Sequence, residues 1–418
     1  MPIQRIAVLS VHTSPLAPMG GVKTGGMNVY VRELSRELGT KGLFVDIFTR
    51  RSSPTEATVD ASIGENVRVI SLEAGPPQPL SPDDQFEHLS EFTANLMAFA
   101  ALQNLRFDIV YSHYWLSGWV AAKLKEAWGI RFAHMFHTLG HMKKRIEANA
   151  YYPPDRRIMT ELRILQSADR VVAATPADQA QLRWLYRAGR RQIVVVPPGV
   201  NTERFNKLIS RERARETLGI SPGSNLLLFV GRIEPLKAVD TILEALHVLR
   251  DRAPSLLQKL HFMIVGGDPQ SIHDRELSRL QALSVKLGID QAVSFVGAKE
   301  QAELPIFYAA ATAVIMPSDY ESFGMVALEA MSSGTPVIAS QVGGLQFLVR
   351  DKETGFHIPA RESISLAECI IELLTEPSRT ADMGAAASRI AREYAWSRIA
   401  ERLLEVFEEV VCEKLRRT

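Results

Sequence analysis

Short apolar runs alternate with segments of helical spacing along most of the 418-residue chain, and this alternation limits the fold more than any other feature. Runs at 6–10, 44–49, 67–71, 108–113, 131–136, 168–175 and 192–199 are largely apolar, and all but 131–136 carry Val or Ile. Between them, residues 28–38, 87–104, 117–128 and 177–188 carry apolar side chains at helical intervals. Strand–helix alternation predicts a parallel sheet wound on both faces, whose buried strands read as nearly continuous apolar stretches. At 197–202, Pro-Pro-Gly-Val-Asn-Thr, the pattern restarts. Strands are then predicted at 225–231, 261–266, 293–296, 313–317 and 336–340. Helices are predicted at 238–250, 274–287, 301–311 and 363–375, with a last one from about 397. The class is α/β, with two doubly wound Rossmann-like domains, 1–199 and 200–396. Two such halves predict one deep cleft between them, a common ligand site.

Composition narrows the partners. Lys and Arg total 48 against 47 Asp and Glu, a formal charge of +1. That argues against a general binder of nucleic acid or of membrane surfaces. Two cysteines, Cys369 and Cys412, make no disulfide or metal framework. No apolar run reaches the roughly 18 residues of a spanning helix, and the apolar run at the start is short for a signal peptide. A cytoplasmic protein is expected, with peripheral membrane contact left open. Neither a short repeat nor a low-complexity tract is visible.

Chemistry concentrates in residues 318–334, S-D-Y-E-S-F-G-M-V-A-L-E-A-M-S-S-G. A strand ends, a loop offers Glu321, and a helix offers Glu329 about two turns on, roughly 12 Å at 1.5 Å per residue. Open α/β sheets take ligands outside the carboxyl ends of their strands. The bland alternative is a helix-start carboxylate and a salt-bridged core edge. Gly231-Arg-Ile-Glu-Pro-Leu-Lys237 sets Arg232 and Lys237 past another strand end, a pair suited to a diphosphate. Two solvated loop cations is the plainer reading. Residues 12–27 form a loop rich in Gly and Pro before a helix, where Gly25 and Gly26 allow close backbone approach and free N–H groups face an anion. His137 ends a strand beside Thr138-Leu-Gly140, His113 and Tyr114 end another, and Gly266-Gly267 a third. A satisfied structural histidine and ordinary turn glycines are the alternatives there. Asp83-Asp84 reads as a lone acidic pair in a loop. There is no cluster of metal ligands, no D-x-D set and no obvious nucleophile–base pair, so no cofactor and no metal are expected.

E-S-F-G-x-x-x-L-E-A-M-x-x-G-x-P-V-I-A resembles the signature of retaining GT-B glycosyltransferases of family 4. The Gly-Gly loop, H-T-L-G, P-P-G-V and G-R-x-x-x-x-K extend the resemblance over nearly the whole chain. It implies a GT-B fold whose last helix, about 397–418, packs back on the first domain. It also implies a catalytic group of His137, Arg232, Lys237 and Glu321. Glu321 would hold the donor sugar hydroxyls, Arg232 and Lys237 the diphosphate, and His137 the 6-hydroxyl. Gly26, Gly266, Phe323, Gly324 and Glu329 would complete the donor site, with Glu329 on the ribose. Gly25, Asn28, Tyr114, Lys143 and Arg157 would face the acceptor, the last two on its phosphate. The leaving phosphate would itself take the acceptor proton on the same face. Where the family usually has Lys-Gly, this chain has Lys237-Ala238.

Two branches of the family share these features. Gly26-Met-Asn-Val-Tyr30 and Ser112-His-Tyr-Trp-Leu-Ser-Gly118 are similar to the inositol-phosphate N-acetylglucosaminyltransferases. His137-Thr-Leu-Gly-His-Met-Lys143 is similar to minimal sucrose-phosphate synthases. Both branches carry a Lys near 82–83, where this chain reads Ser81-Pro-Asp-Asp84. The resemblance implies transfer of glucose from UDP-glucose to fructose 6-phosphate, giving sucrose 6-phosphate. N-acetylglucosamine transfer to inositol phosphate is the alternative within the class. A sugar-nucleotide epimerase and a non-catalytic sugar-nucleotide binder are the alternatives outside it. Donor base, oligomeric state and the altered loop stay open.

Overall fold

In a computed structural model the described residues are 2–17, 25–146, 155–206, 209–268 and 274–415, without the side chains of 143, 145–146 and 413–415. The chain divides into two compact units. One holds the residues up to Pro198 and the terminal stretch from Trp396; the other holds Gly199–Ala395.

The first unit has an eight-stranded sheet. Its strands are β1 Arg5–Leu9, β2 Phe44–Arg50, β3 Val59–Asp60, β4 Val67–Leu72, β5 Ile109–His113, β6 Phe132–Met135, β7 Arg170–Ala173 and β8 Ile193–Val195. The order is β3-β4-β2-β1-β5-β6-β7-β8. Every pair is parallel except the short edge strand β3 against β4. The second unit has six parallel strands: β9 Asn225–Val230, β10 Leu260–Val265, β11 Val293–Phe295, β12 Ala313–Met316, β13 Val337–Ser340 and β14 Gly355–Ile358. Their order is β11-β10-β9-β12-β13-β14, the doubly wound 3-2-1-4-5-6 arrangement. Without β3 the first sheet repeats that order with one further strand.

This topology fixes where ligands can go. Winding reverses between β1 and β5 in one unit and between β9 and β12 in the other. The crevice outside the carboxyl ends of those strands is the usual ligand position. Helices cover both faces, so central strands such as β1, β5, β9 and β12 bury nearly every side chain. Each fully buried Leu, Ile or Phe contributes about 1.5–3 kcal/mol. The first core runs from Ala7 to Ile193 and the second from Leu227 to Met383.

The terminal helix Trp396–Leu415 belongs to the first unit. Trp396 meets Tyr30 edge-on at 5.5 Å, Phe407 meets Tyr111 at 5.1 Å, and Lys41 pairs with Glu401 at 2.7 Å. The two chain segments at the unit boundary run side by side, with Val200 N–H donating to Tyr394 O at 2.8 Å.

Several elements differ from expectation. Asp83 and Asp84 do not lie in a loop; they form the first turn of helix Pro82–Glu87. Ser81 caps it, accepting from Asp84 N–H at 3.1 Å, and Pro82 takes the first helical position. The helix predicted at 87–104 spans Leu89–Leu102, and a separate short helix, Pro82–Glu87, precedes it. The helix predicted from 117 starts at Tyr114. Helices Arg156–Ser167 and Pro377–Ala391 and strand β14 were not predicted at all.

Candidate active site

In the second unit, Arg232 and Lys237 follow β9. Arg232 is half-exposed and pairs with Glu234 at 2.7 Å. Pro235–Lys237 forms a single 3-10 turn that closes on Ala238, whose backbone is left-handed at φ +51. Lys237 Nζ reaches Glu321 Oε2 at 2.5 Å, each side chain 18% exposed. Glu321 lies in the loop after β12, ahead of helix Met325–Ser332. Glycines shape that loop. Gly324 precedes the helix at φ +104, and a Cβ there would meet Leu345 Cδ2 at 2.6 Å. Gly343 has φ +48, and a Cβ on it would stand 1.8 Å from Glu321 O. A Cβ on Gly344 would meet Phe323 Cα at 2.4 Å, while its N–H donates to Glu321 O at 2.9 Å. Phe323 is buried and lies 6.1 Å from Tyr394, ring to ring. Gly266 packs so tightly that its Cβ would overlap Gly231 O.

Glu329 is 5% exposed on helix Met325–Ser332. Its Oε2 accepts from Tyr308 OH at 2.8 Å and its Oε1 from Gln301 Nε2 at 3.0 Å. Gln301 in turn accepts from Arg204 at 2.9 Å. Tyr308 and Gln301 therefore aim the carboxylate. A carboxylate oxygen has two lone pairs and can accept from more than one donor.

In the first unit, the candidate residues follow β1, β5 and β6. Gly25 is the extended N-cap of helix Gly26–Thr40, with nothing within 4 Å of where a Cβ would stand. Gly26 is the first helical residue. Asn28 is buried, and its amide is spent on the loop. Nδ2 donates to Thr13 Oγ1 at 2.9 Å and Ser14 O at 2.7 Å, and Oδ1 accepts from Gly25 N–H at 3.2 Å. It organises the loop instead of offering a free amide.

Tyr114 and His137 stand just past β5 and β6 in left-handed backbone, at φ +71 and +60. Such geometry costs a non-glycine residue about 1–3 kcal/mol and clusters at functional sites. His137 Nε2 and His113 Nδ1 share a hydrogen bond at 3.0 Å, and Tyr30 meets both rings edge-on. Burial, then the neighbouring rings of His137 and His134, pushes His113 well below the usual histidine range. Burial also lowers His137. Both rings are neutral at pH 7, so His137 can meet a hydroxyl as donor or acceptor without a charge.

Arg157 is the centre of the other cluster. Its Nε donates to Glu161 Oε1 at 2.8 Å, Nη1 to Tyr114 OH at 3.3 Å, and Nη2 to Thr138 O and Oγ1 at 2.7 and 3.0 Å. Its guanidinium also lies 4.9 Å from the centre of the Tyr114 ring. Of the five N–H groups of an arginine, four are used by these bonds, leaving one on Nη1. Glu161 is fully buried and accepts further bonds from Gly140 N–H and Tyr186 OH. Gly140 lets this happen, because a Cβ there would press on Glu161 Oε2 and Ile158 at 3.0 Å. Lys143 lies on the short helix Gly140–Ile146, and its side chain lies outside the described residues.

The structure thus pairs Lys237 with Glu321, with Arg232 following the same strand as Lys237 and Glu329 set by its own anchors, in one unit. It gathers Tyr114, Thr138 and Arg157 in the other. Sequence reasoning missed the supports: Gln301 and Tyr308 behind Glu329, and Tyr186 and Thr138 around Arg157. The i,i+4 spacing of Arg157 and Glu161 was the one signal available for the second set. Among the described residues no group of three or more His, Cys, Asp or Glu is placed to hold a metal ion, and no helix is long and apolar enough to cross a membrane.

Known proteins resemble the chain along its whole length. The family model described as Glycosyltransferase Family 4 matches residues 24–204, and that described as Glycosyl transferases group 1 matches residues 210–390. A D-inositol 3-phosphate glycosyltransferase of Kineococcus radiotolerans is 39% identical, over 98% of this chain and 96% of its own. Another so named, of Corynebacterium urealyticum, is 37% identical over 97% and 96%. The solved sucrose-phosphate synthase of Thermosynechococcus elongatus is 33% identical, over 98% of this chain and all of its own, with a TM-score of 0.86.

Proposed function

The chain belongs to family 4 of the GT-B glycosyltransferases, and from that premise we propose that it moves a hexosyl group from a nucleoside-diphosphate sugar to a phosphorylated polyol, with retention. The observation that carries this reading is the Lys237–Glu321 pair at the β9/β12 reversal, with Arg232 five residues before the lysine. An incoming diphosphate offers Lys237 a second anion. Glu321 is then released to accept from sugar hydroxyls. Arg232 and Lys237 offset the charge that grows on the diphosphate as the anomeric C–O bond breaks. The acceptor oxygen bonds to the anomeric carbon, and its proton passes to the departing phosphate oxygen. Glu329 accepts from the ribose hydroxyls. In this reading the two cations do the charge work of a metal, and a chelator leaves the rate unchanged.

The acceptor phosphate would be held by Arg157, through its remaining N–H, with Tyr114, Thr138 and Lys143. D-inositol 3-phosphate is the first acceptor to try, because relatives named for it share 37–39% of residues against 33% for the sucrose-phosphate synthase. The donor in that reading is UDP-N-acetylglucosamine. Glucose transfer from UDP-glucose to fructose 6-phosphate is the second reading, supported by the TM-score of 0.86 and the H-T-L-G-x-x-K element. The experiment is a matrix of UDP-, ADP- and GDP-sugars against both acceptors, following nucleotide release and the anomeric configuration of the product. Nucleotide release without an acceptor product, or an inverted product, would sink the proposal. Lys143→Ala should chiefly raise the acceptor KM.

A further inference from the structure

No motif marks Arg361, and the proposed chemistry does not use it. It stands three residues past β14, in left-handed backbone at φ +62. Its guanidinium forks onto Asp319, Nε to Oδ1 at 2.7 Å and Nη2 to Oδ2 at 2.5 Å. The same group donates from Nη2 to Pro235 O and from Nη1 to Asp240 Oδ1, both at 2.9 Å. Asp319 lies two residues before Glu321. Pro235 opens the turn that ends in Lys237, and Asp240 begins the helix beyond it, Val239–Arg252. Asp319 N–H also donates to Leu236 O at 2.9 Å. One side chain therefore bridges the two loops that deliver the ends of the Lys237–Glu321 pair.

Charge points the same way. Asp240 has a second cation in Arg279 at 3.0 Å, whereas among the described residues the fork from Arg361 is the one ion pair formed by Asp319. Without Arg361, a carboxylate would stand uncompensated beside the loop that receives a diphosphate.

We infer that Arg361 is a positioning residue of the donor site: it holds the Lys237 loop against the Glu321 loop and cancels the Asp319 charge next to the bound diphosphate. This rests on the donor reading above. A merely structural role predicts something different. The side chains of Arg361, Asp319 and Asp240 are 43%, 30% and 18% exposed, and pairs this open to solvent add little to folding. Losing Arg361 should therefore leave the fold standing while donor binding weakens.

The test compares wild type, Arg361→Ala, Arg361→Lys and the double variant Arg361→Ala/Asp319→Asn. UDP affinity is measured by calorimetry, with donor KM, acceptor KM, kcat and Tm beside it. Arg361→Ala should weaken UDP and raise donor KM by about tenfold or more, a 1.4 kcal/mol effect. Acceptor KM and Tm should hardly move. Arg361→Lys restores charge without the fork and should recover part of the loss. The double variant removes the stranded carboxylate and should also recover part. Wild-type UDP affinity in Arg361→Ala overturns the inference, as does a Tm loss that accounts for the weakened binding. If wild type binds none of UDP, ADP or GDP, the donor reading itself falls, which is a separate result.

Discussion

The two candidate clusters are built by different means. The donor loops of the second unit are shaped first by backbone, with the Arg361 side chain bridging them. Gly324, Gly343 and Gly344 let chain segments touch where any Cβ would collide, and Ala238 turns the preceding loop with a left-handed angle. Their cations stay partly exposed, and Arg232 pairs with its neighbour Glu234. The acceptor cluster of the first unit is held by side chains. Buried Glu161 ties Arg157, Gly140 and Tyr186 together, and Arg157 ties in Tyr114 and Thr138. A backbone-built site can leave its charged groups free for a ligand. A side-chain-built site spends most of its hydrogen-bonding capacity on itself and presents what remains, here a single Nη1–H.

That contrast breaks most readily at Arg232. Its ion pair is open to solvent and contributes little to folding. Arg232→Ala should leave Tm nearly unchanged and lower kcat by about 10²–10³, the scale for removing one donor to developing charge. Steady-state rates with a saturating donor read this directly. Near wild-type turnover would take Arg232 out of the site.

Gly343→Ala attacks the backbone side of the comparison. The new Cβ would need 1.8 Å from Glu321 O to open up, at a residue already at φ +48. A displacement near 1 Å of the Glu321 loop is worth about 10² in rate. The expected result is a drop of that size in kcat/KM for the donor, with acceptor affinity intact and about 1–3 kcal/mol of stability lost. Unchanged donor kinetics would mean the glycines do not set the loop.

Glu161→Gln is the corresponding break on the other side. It leaves Arg157 with a neutral partner and sets an amide where three donors converge. Removing one partner of a buried pair costs about 3–5 kcal/mol. Denaturant unfolding should show a loss of about that size, and the acceptor KM should rise about tenfold. Donor affinity should hold. Equal damage to both substrates would erase the division of labour.

The same division explains what was readable in the chain. Arg232, Lys237, Glu321 and Glu329 sit in two contiguous stretches just past strand ends, although Gly343 and Gly344, which shape the Glu321 loop, come from beyond β13. The helix Arg156–Ser167 that presents Arg157 went unread. Its buried face carries Glu161 among Ile158, Ile164 and Leu165, so the apolar stripe is interrupted. Helix Pro377–Ala391 packs small residues, with Gly384 against Gly334 O, and gives little periodic contrast. Ser81-Pro-Asp-Asp84 did carry a helix-start signature, a capping serine followed by proline and two acids. The acids were mistaken for loop residues because charge, not capping, drew the reading.

Acid should separate the units further. Burial holds His113 well down, and His134 and His137 down to about 3, in the first unit. All three rings stay neutral in the fold but protonate near pH 6.5 when unfolded. The unfolded chain then binds more protons, so stability is full above pH 6.5 and is lost as pH falls below it. Three rings should cost about 4 kcal/mol between pH 7.5 and 5.5. Denaturant midpoints at the two pH values measure it. His134→Gln should remove about a third of the pH dependence, and an unaltered slope would exclude His134 as a source.

The smallest effect sharpens the comparison most. Ala238 is buried at φ +51, ψ 39, where the family resemblance places glycine. Left-handed backbone costs an L-residue about 1–2 kcal/mol. Ala238→Gly relieves that cost, but loses a buried methyl worth about 0.8 kcal/mol and frees the unfolded chain by about 0.4–1 kcal/mol. The terms nearly cancel, so stability should change by less than about 1 kcal/mol, with donor KM unchanged. Ala238→Val puts a branched Cβ on the same angle and should destabilise and displace Lys237. If glycine is neutral and valine is not, the donor loop demands a backbone angle at 238 and not a residue type. If both are neutral, the turn is not what sets Lys237, and the cation must be placed by its contact with Glu321.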